Sequence, residues 1–160
     1  MTFFVNANHA EFFRKLFEET ACKLAGRAVQ IRFRQPFGAE AWGETYQDPF
    51  GRVVIDIRPS LPLEKQFNIL LHEVAHIKAG HAELVGPTPY ASLPSGSCVP
   101  TRPATKAEEA TMRSLEGEAE SLADKLGAWA SRHVEERNLG EKDADDLIIA
   151  KLVSLQYYKE

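Results

Sequence analysis

The sequence predicts an α+β fold in which one helix leads into a small sheet and a helical half follows. Apolar residues recur at helical spacing in four separate segments. Three short strand-like stretches lie between the first and second of these, two of them joined by a turn signal. With 44% hydrophobic and 26% charged residues over 160 positions, the chain reads as one domain, 1–160, able to bury a core without staples.

Asn8 is placed to cap the first helix, in which Phe12, Phe13, Leu16, Phe17, Ala21 and Leu24 share one face; Gly26 stops it. Val29, Ile31 and Phe33 then alternate with Gln30, Arg32 and Arg34, the two-residue period of a half-buried strand, which Pro36 and Gly38 break. A second strand fits Ala41–Tyr46. Asp48-Pro49-Phe50-Gly51 reads as a turn and Val53–Ile57 as a third strand, so the sheet is predicted to be partly antiparallel. Ser60, Pro62 and Glu64 open a helix running to about Ala79, and Gly80 ends it.

From Gly86 to Pro103 the composition shifts. Pro87, Pro89, Pro94, Pro100 and Pro103 are five of the nine prolines, and the span reads as a long loop suited to a lid. A long helix follows from about Ala104 to Val134, with Met112, Leu115, Ala119, Leu122, Leu126, Trp129 and Ala130 as its apolar stripe. Asn138-Leu139-Gly140 closes it, and Asp143–Tyr157 forms a final helix.

Several function classes are disfavoured by composition. The net charge of -4 gives no electrostatic footprint for nucleic acid or an anionic membrane. Arg27, Arg32 and Arg34 near one strand lack the interleaved aromatic residues of a nucleic-acid surface and read as a solvated sheet face. No apolar run approaches the roughly 20 residues that span a bilayer. The first residues do not read as a secretory signal. Two cysteines, Cys22 and Cys98, do not make a disulfide scaffold, and the expectation is a cytoplasmic protein.

The chemistry is concentrated in His72-Glu73-Val74-Ala75-His76 on the second helix. Residues four apart lie one turn above each other, so both imidazoles reach one ion. Glu73 points about 100° round the helix, near such an ion without being forced to ligate it. Two neutral nitrogens and a carboxylate able to take a proton from water are what a metal-dependent hydrolase needs, and zinc suits the donors.

A third ligand is required. His81 lies five residues beyond His76, one short of the spacing found where a third histidine completes the site. A carboxylate from another helix is the other solution, and the segment around Glu116, Glu118 and Glu120 is the place for it. Glu116 and Glu118 lie about 80° to either side of the predicted stripe, so periodicity does not choose between them. Glu120 lies further round. Tyr46, Tyr90 and His81 are candidates to stabilise an oxyanion. Cys98 is placed by sequence where its thiolate could fill an open coordination position in a latent form.

These residues resemble the ImmA/IrrE-type zinc metallopeptidases. The resemblance rests on His72-Glu73-Val74-Ala75-His76 followed by His81, and on Glu116-Gly117-Glu118-Ala119-Glu120-Ser121-Leu122-Ala123. The latter looks like the family's Glu-x-x-Ala-(Asn/Asp)-x-Phe-Ala helix, departing from it at Glu120 and Leu122. It covers about residues 40 to 130.

The resemblance implies a zincin-like helical core, with the sheet packed on it and the motif on the active-site helix. It implies a two-His-one-Glu, gluzincin-like zinc site in which His72, His76 and Glu116 are ligands and Glu73 is the general base. The strand Val53–Ile57 fits a layout in which an extended substrate lies along a sheet edge. Such proteins often belong to phages, mobile elements or stress responses, and some cleave a helix-turn-helix repressor; here the implied substrate is a separate protein.

Two rivals are weighed. A deformylase needs a cysteine ligand in its own short motif, which Cys22 lacks. A non-catalytic interaction domain retaining the fold has no need of a carboxylate at Glu73.

Overall fold

The computed structural model describes residues 7–36, 42–48, 50–79, 90–92, 98–100, 106–136 and 144–159. Among them are four helices, a three-stranded mixed sheet and a two-stranded ladder, which is an α+β architecture. None of these helices is long and apolar enough to cross a membrane.

Helix α1 spans Ala7–Ala25, starting one residue ahead of the predicted cap, Asn8. It stops at Gly26, where a φ of 68° lets the amide reach the Cys22 carbonyl at 2.9 Å. Strands β1 (Val29–Phe33), β2 (Gly43–Gln47) and β3 (Val53–Ile57) follow. Their spatial order is β1-β3-β2, with β3 parallel to β1 and antiparallel to β2.

The predicted hairpin is β2–β3. Asp48 builds its turn: its carbonyl accepts the Gly51 amide at 2.9 Å, and its Oδ1 accepts the amides of Phe50 and Arg52, each at 2.9 Å. Gly51 takes the left-handed φ of 78° that this turn requires. The strand Val53–Ile57, expected to offer a substrate edge, is instead central and buried along its whole length. Its unbroken apolar run, Val53-Val54-Ile55, is what a strand covered on both faces needs.

The two outer strands are treated differently. Helix α1 lies along β1, where the Val29 amide donates to Cys22 Sγ at 3.3 Å and the Ile31 amide donates to Glu18 Oε2 at 3.1 Å. β2 borders the cleft described below.

Helix α2 spans Leu63–Lys78. Its cap residue is Pro62 rather than Ser60, and no side chain caps it. The Pro62 carbonyl takes the first helical bond, from the Gln66 amide at 3.0 Å. Helix α3 spans Lys106–Glu136 and α4 spans Ala144–Leu155. The chain after Leu155 tightens into three-residue turns, with the Gln156, Tyr157 and Tyr158 amides bonding carbonyls three positions back. That is why α4 ends short of the predicted Tyr157.

Within the predicted loop from Gly86 to Pro103, β4 (Tyr90–Ser92) and β5 (Cys98–Pro100) form a short antiparallel ladder. The remaining residues of that span lie outside the described ones.

One sheet face and the helices share the core. Val29, Ile31, Val53, Ile55 and Ile57 pack with Phe17 and Leu24 of α1 and with Phe67, Leu70 and Val74 of α2. Leu126, Ala130, Leu152 and Leu155 close the far side. Phe17 and Phe33 meet edge to face, with ring centroids 5.4 Å apart.

The opposite face carries charge. Asp56 of β3 is buried, and Arg32 and Arg34 reach its two oxygens at 3.2 and 3.0 Å. These arginines are therefore committed to an internal ion pair instead of forming a solvated sheet face. Burial pushes the Asp56 carboxyl above its usual value, while the two guanidinium groups pull it back. A raised folded-state pKa means that the carboxyl favours the fold most below its unfolded pKa, and that this contribution falls as pH rises through the folded value. Replacing both arginines (Arg32→Ala with Arg34→Ala) strands the carboxylate and should cost about 3 kcal/mol at pH 7. Asp56→Asn should cost less. In urea unfolding, the deficit of the double variant should shrink as pH is lowered from 7, because burial without the arginines raises the carboxyl further and it takes up a proton.

Candidate metal centre

The helical register of α2 sets His72 and His76 on one side, one turn apart, with Glu73 turned inwards. Leu70, Leu71, Val74, Ala75 and Ile77 anchor the helix in the core, so the histidines lie along the border between core and solvent. His72 is 30% and His76 13% exposed.

Glu116 comes from α3. Its Oε2 lies 2.7 Å from His72 Nε2 and its Oε1 lies 3.0 Å from His76 Nε2. The two imidazole Nε2 atoms are 3.2 Å apart, with the rings edge to face. Donor atoms from all three residues fall within 4.8 Å of one another. Nitrogen and oxygen ligands held tetrahedrally at about 2.0–2.1 Å lie about 3.3 Å from each other. The imidazole nitrogens stand at that edge length and each has a Glu116 oxygen within it, so the donor set suits a small divalent ion such as zinc in its chemistry and its donors are already gathered.

The choice of Glu116 over Glu118 follows from which α3 residues are most buried. Ala119, Leu126, Ala130 and Val134 are the buried residues of this helix. Measured from their centre, Glu116 lies only about 40° away and Glu118 about 120° away. The predicted stripe included Leu122 and Trp129, which are only partly buried, and that pulled its centre towards Glu118. Among the described residues, Glu118 does not join the cluster, and Glu118 and Glu120 are both exposed.

Glu73 is buried under β2, and the Thr45 hydroxyl donates a hydrogen bond to its Oε2. Burial pushes the Glu73 carboxyl up to about 7. The Thr45 hydrogen bond and the His72 ring oppose this, and Glu116 and Glu44 add to it. Thr45 was not singled out from sequence. The alternation of β2 points it at α2, but that alternation becomes useful only once β2 is known to lie over the motif helix.

A cleft of about 370 Å³ opens on the site. Trp42 and Gly43 of the β2 end form one wall, Asn68 and Ile69 of α2 another, and His72, Glu73 and Glu116 lie at its chemical end. Gly43 is required where it stands: a Cβ there would overlap Ile69 Cγ2 and lie 3.5 Å from Glu73 Oε1.

The other sequence candidates fall elsewhere. Tyr46 is on the opposite face of β2 from Thr45, with the Arg32 guanidinium over its ring at 5.8 Å, so it does not serve an oxyanion in this cleft. His81 and the side chains of Tyr90 and Cys98 lie outside the described residues.

No family model matches this chain, and no curated protein or solved structure matches it.

The donor geometry predicts one zinc ion per chain, measurable by elemental analysis of the purified protein. His72→Ala, His76→Ala and Glu116→Ala should each weaken zinc binding by more than about a hundredfold, beyond the usual loss from an outer partner. Glu118→Ala should leave it unchanged.

Proposed function

We propose that this protein is a zinc-dependent metallopeptidase of the ImmA/IrrE type, hydrolysing a peptide bond in a separate protein substrate. The observation that carries the reading is the convergence of His72, His76 and Glu116 donors beside a buried glutamate, in a cleft walled by an outer sheet strand. The arrangement supports a zincin-like core with His72, His76 and Glu116 as ligands and Glu73 as base. It gives no support to a deformylase, because the third donor is a carboxylate.

A zinc ion held by these ligands would supply Lewis acidity, making water a better nucleophile and polarising the carbonyl it attacks. The remaining work falls to the chain. Glu73 takes a proton from the attacking water and returns it to the leaving amine, so its carboxylate is regenerated at the end of the cycle. β2 gives the substrate an extended backbone to lie along, at the strand that borders the cleft. Ile69 and Trp42 give the same cleft apolar walls for substrate side chains.

By the same resemblance, the substrate is a helix-turn-helix repressor, the setting is a phage, mobile element or stress response, and the location is the cytoplasm. The protein acts on the regulator and makes no direct contact with nucleic acid or membrane.

Glu73→Gln keeps the shape of the side chain but removes its basicity. With zinc loaded, it should cut a helix-turn-helix regulator of the same genome at least about a hundredfold more slowly than the parent protein, with zinc content unchanged. If the two proteins instead bind the regulator equally and neither cleaves it, the domain is a non-catalytic interaction module and the peptidase reading is wrong.

A further inference from the structure

We infer that Thr45 is the positioning residue for Glu73, its hydroxyl holding one carboxylate oxygen so that the other faces the cleft. This rests on the peptidase reading and adds a residue that neither the motif nor the ligand set contains.

Glu73 projects into a gap between α2 and β2 where it is only 7% exposed. A glutamate side chain has three rotatable bonds, and a buried base with an unfixed carboxylate would spend part of its time turned away from the reacting proton. Thr45 removes that freedom. It sits in the middle of β2, opposite Ile55 of the central strand, and its β-branched side chain has a stiff χ1. Its hydroxyl donates to Glu73 Oε2. Oε1 is left beside Gly43, two residues earlier on the same face of the strand, and both Gly43 and Glu73 line the cleft.

The sheet itself does not call for a hydroxyl at position 45. Valine has the same shape and suits a half-buried strand at least as well. Its polar atom is accounted for by the carboxylate it meets. Gly43 makes the contact feasible, since any side chain there would overlap Ile69 and hold β2 away from α2. One strand thus supplies a hydroxyl at one point and an absent side chain at the next. With Oε2 occupied by the Thr45 proton, Oε1 is the atom that accepts the proton from water and later releases it to the amine.

A binding measurement tests this without a known substrate. Acetohydroxamate is titrated calorimetrically into the zinc-loaded full chain; it chelates zinc and gives up its hydroxyl proton to a nearby base. Thr45→Val should bind it about tenfold more weakly than the parent, similar to Glu73→Gln, and Thr45→Ser should recover affinity to within about twofold. In the Glu73→Gln background, Thr45→Val should have no further effect, because it acts through the carboxylate. Zinc stoichiometry and the thermal midpoint identify any variant that simply fails to fold; should Thr45→Val be one, Thr45→Ala, which also removes the hydroxyl, carries the comparison with the parent and the same two outcomes. Parent-like affinity in folded Thr45→Val, with Glu73→Gln weakened, overturns the inference and leaves the peptidase reading standing. Failure to load zinc, or equal hydroxamate affinity in the parent and Glu73→Gln, overturns the peptidase reading and this inference with it.

Discussion

Glu116 reaches His72 and His76 only because α3 can lie close against α2, and the small residues of α3 permit that approach. Ala119, one turn beyond Glu116 on the same side of the helix, is fully buried, and so is Ala75 of α2. Further along, a Cβ on Gly127 would come 3.6 Å from Leu71 Cδ1, an ordinary contact, so the seam there has room for a methyl group and little more is shown to fit. Larger residues along this seam would move Glu116 outwards along with the whole helix. A carboxylate that is itself 58% exposed therefore depends for its position on packing several turns away.

The buried carboxyl of Glu73 is the opposite case, a group that weakens the fold where it stands. An ionised side chain taken out of water is unfavourable unless it is hydrogen-bonded or near opposite charge. Around it lie one hydroxyl, from Thr45, and the ring of His72, with Glu116 and Glu44 adding negative charge. Asp56 provides a comparison within the same sheet. It too is buried, yet has two arginines against it. Asp56 is given two guanidinium partners, whereas Glu73 has only a hydroxyl and an imidazole to offset its burial. Local rules of stability are most often broken at sites where chemistry is done.

Much of the fold was legible because its signals are local. The stop at Gly26, the turn at Asp48–Gly51 and the helical register of His72 and His76 each depend on residues within a few positions of one another. Features that depend on which elements become neighbours were not legible. Nothing in Val53–Ile57 alone says that it is central rather than an edge, beyond an apolar run that a buried helix segment could also carry. Glu116 and Glu118 were indistinguishable until the true centre of the α3 stripe was fixed by Ala119, Leu126, Ala130 and Val134. Thr45 was invisible for the same reason, since its partner lies 28 positions away. The β4–β5 ladder was hidden by the prolines around it, which mark turns more strongly than three-residue strands mark themselves.

The strand order also decides where an extended ligand could add to this sheet. Strand addition requires backbone groups on an outer strand, and a three-stranded sheet has two such strands. At β1 the amides of Val29 and Ile31 are taken by Cys22 and Glu18 of α1, so that side is occupied by the protein's own helix. β3 is enclosed between its neighbours. β2 is the outer strand that runs past the histidines' cleft, and it is also the strand that carries Gly43 and Thr45 against Glu73. A peptide backbone laid along β2 would therefore meet Glu73 and the His72–His76–Glu116 cluster through the same element. A displacement of that strand would be felt at the Glu73 carboxylate first, because Thr45 joins the two directly.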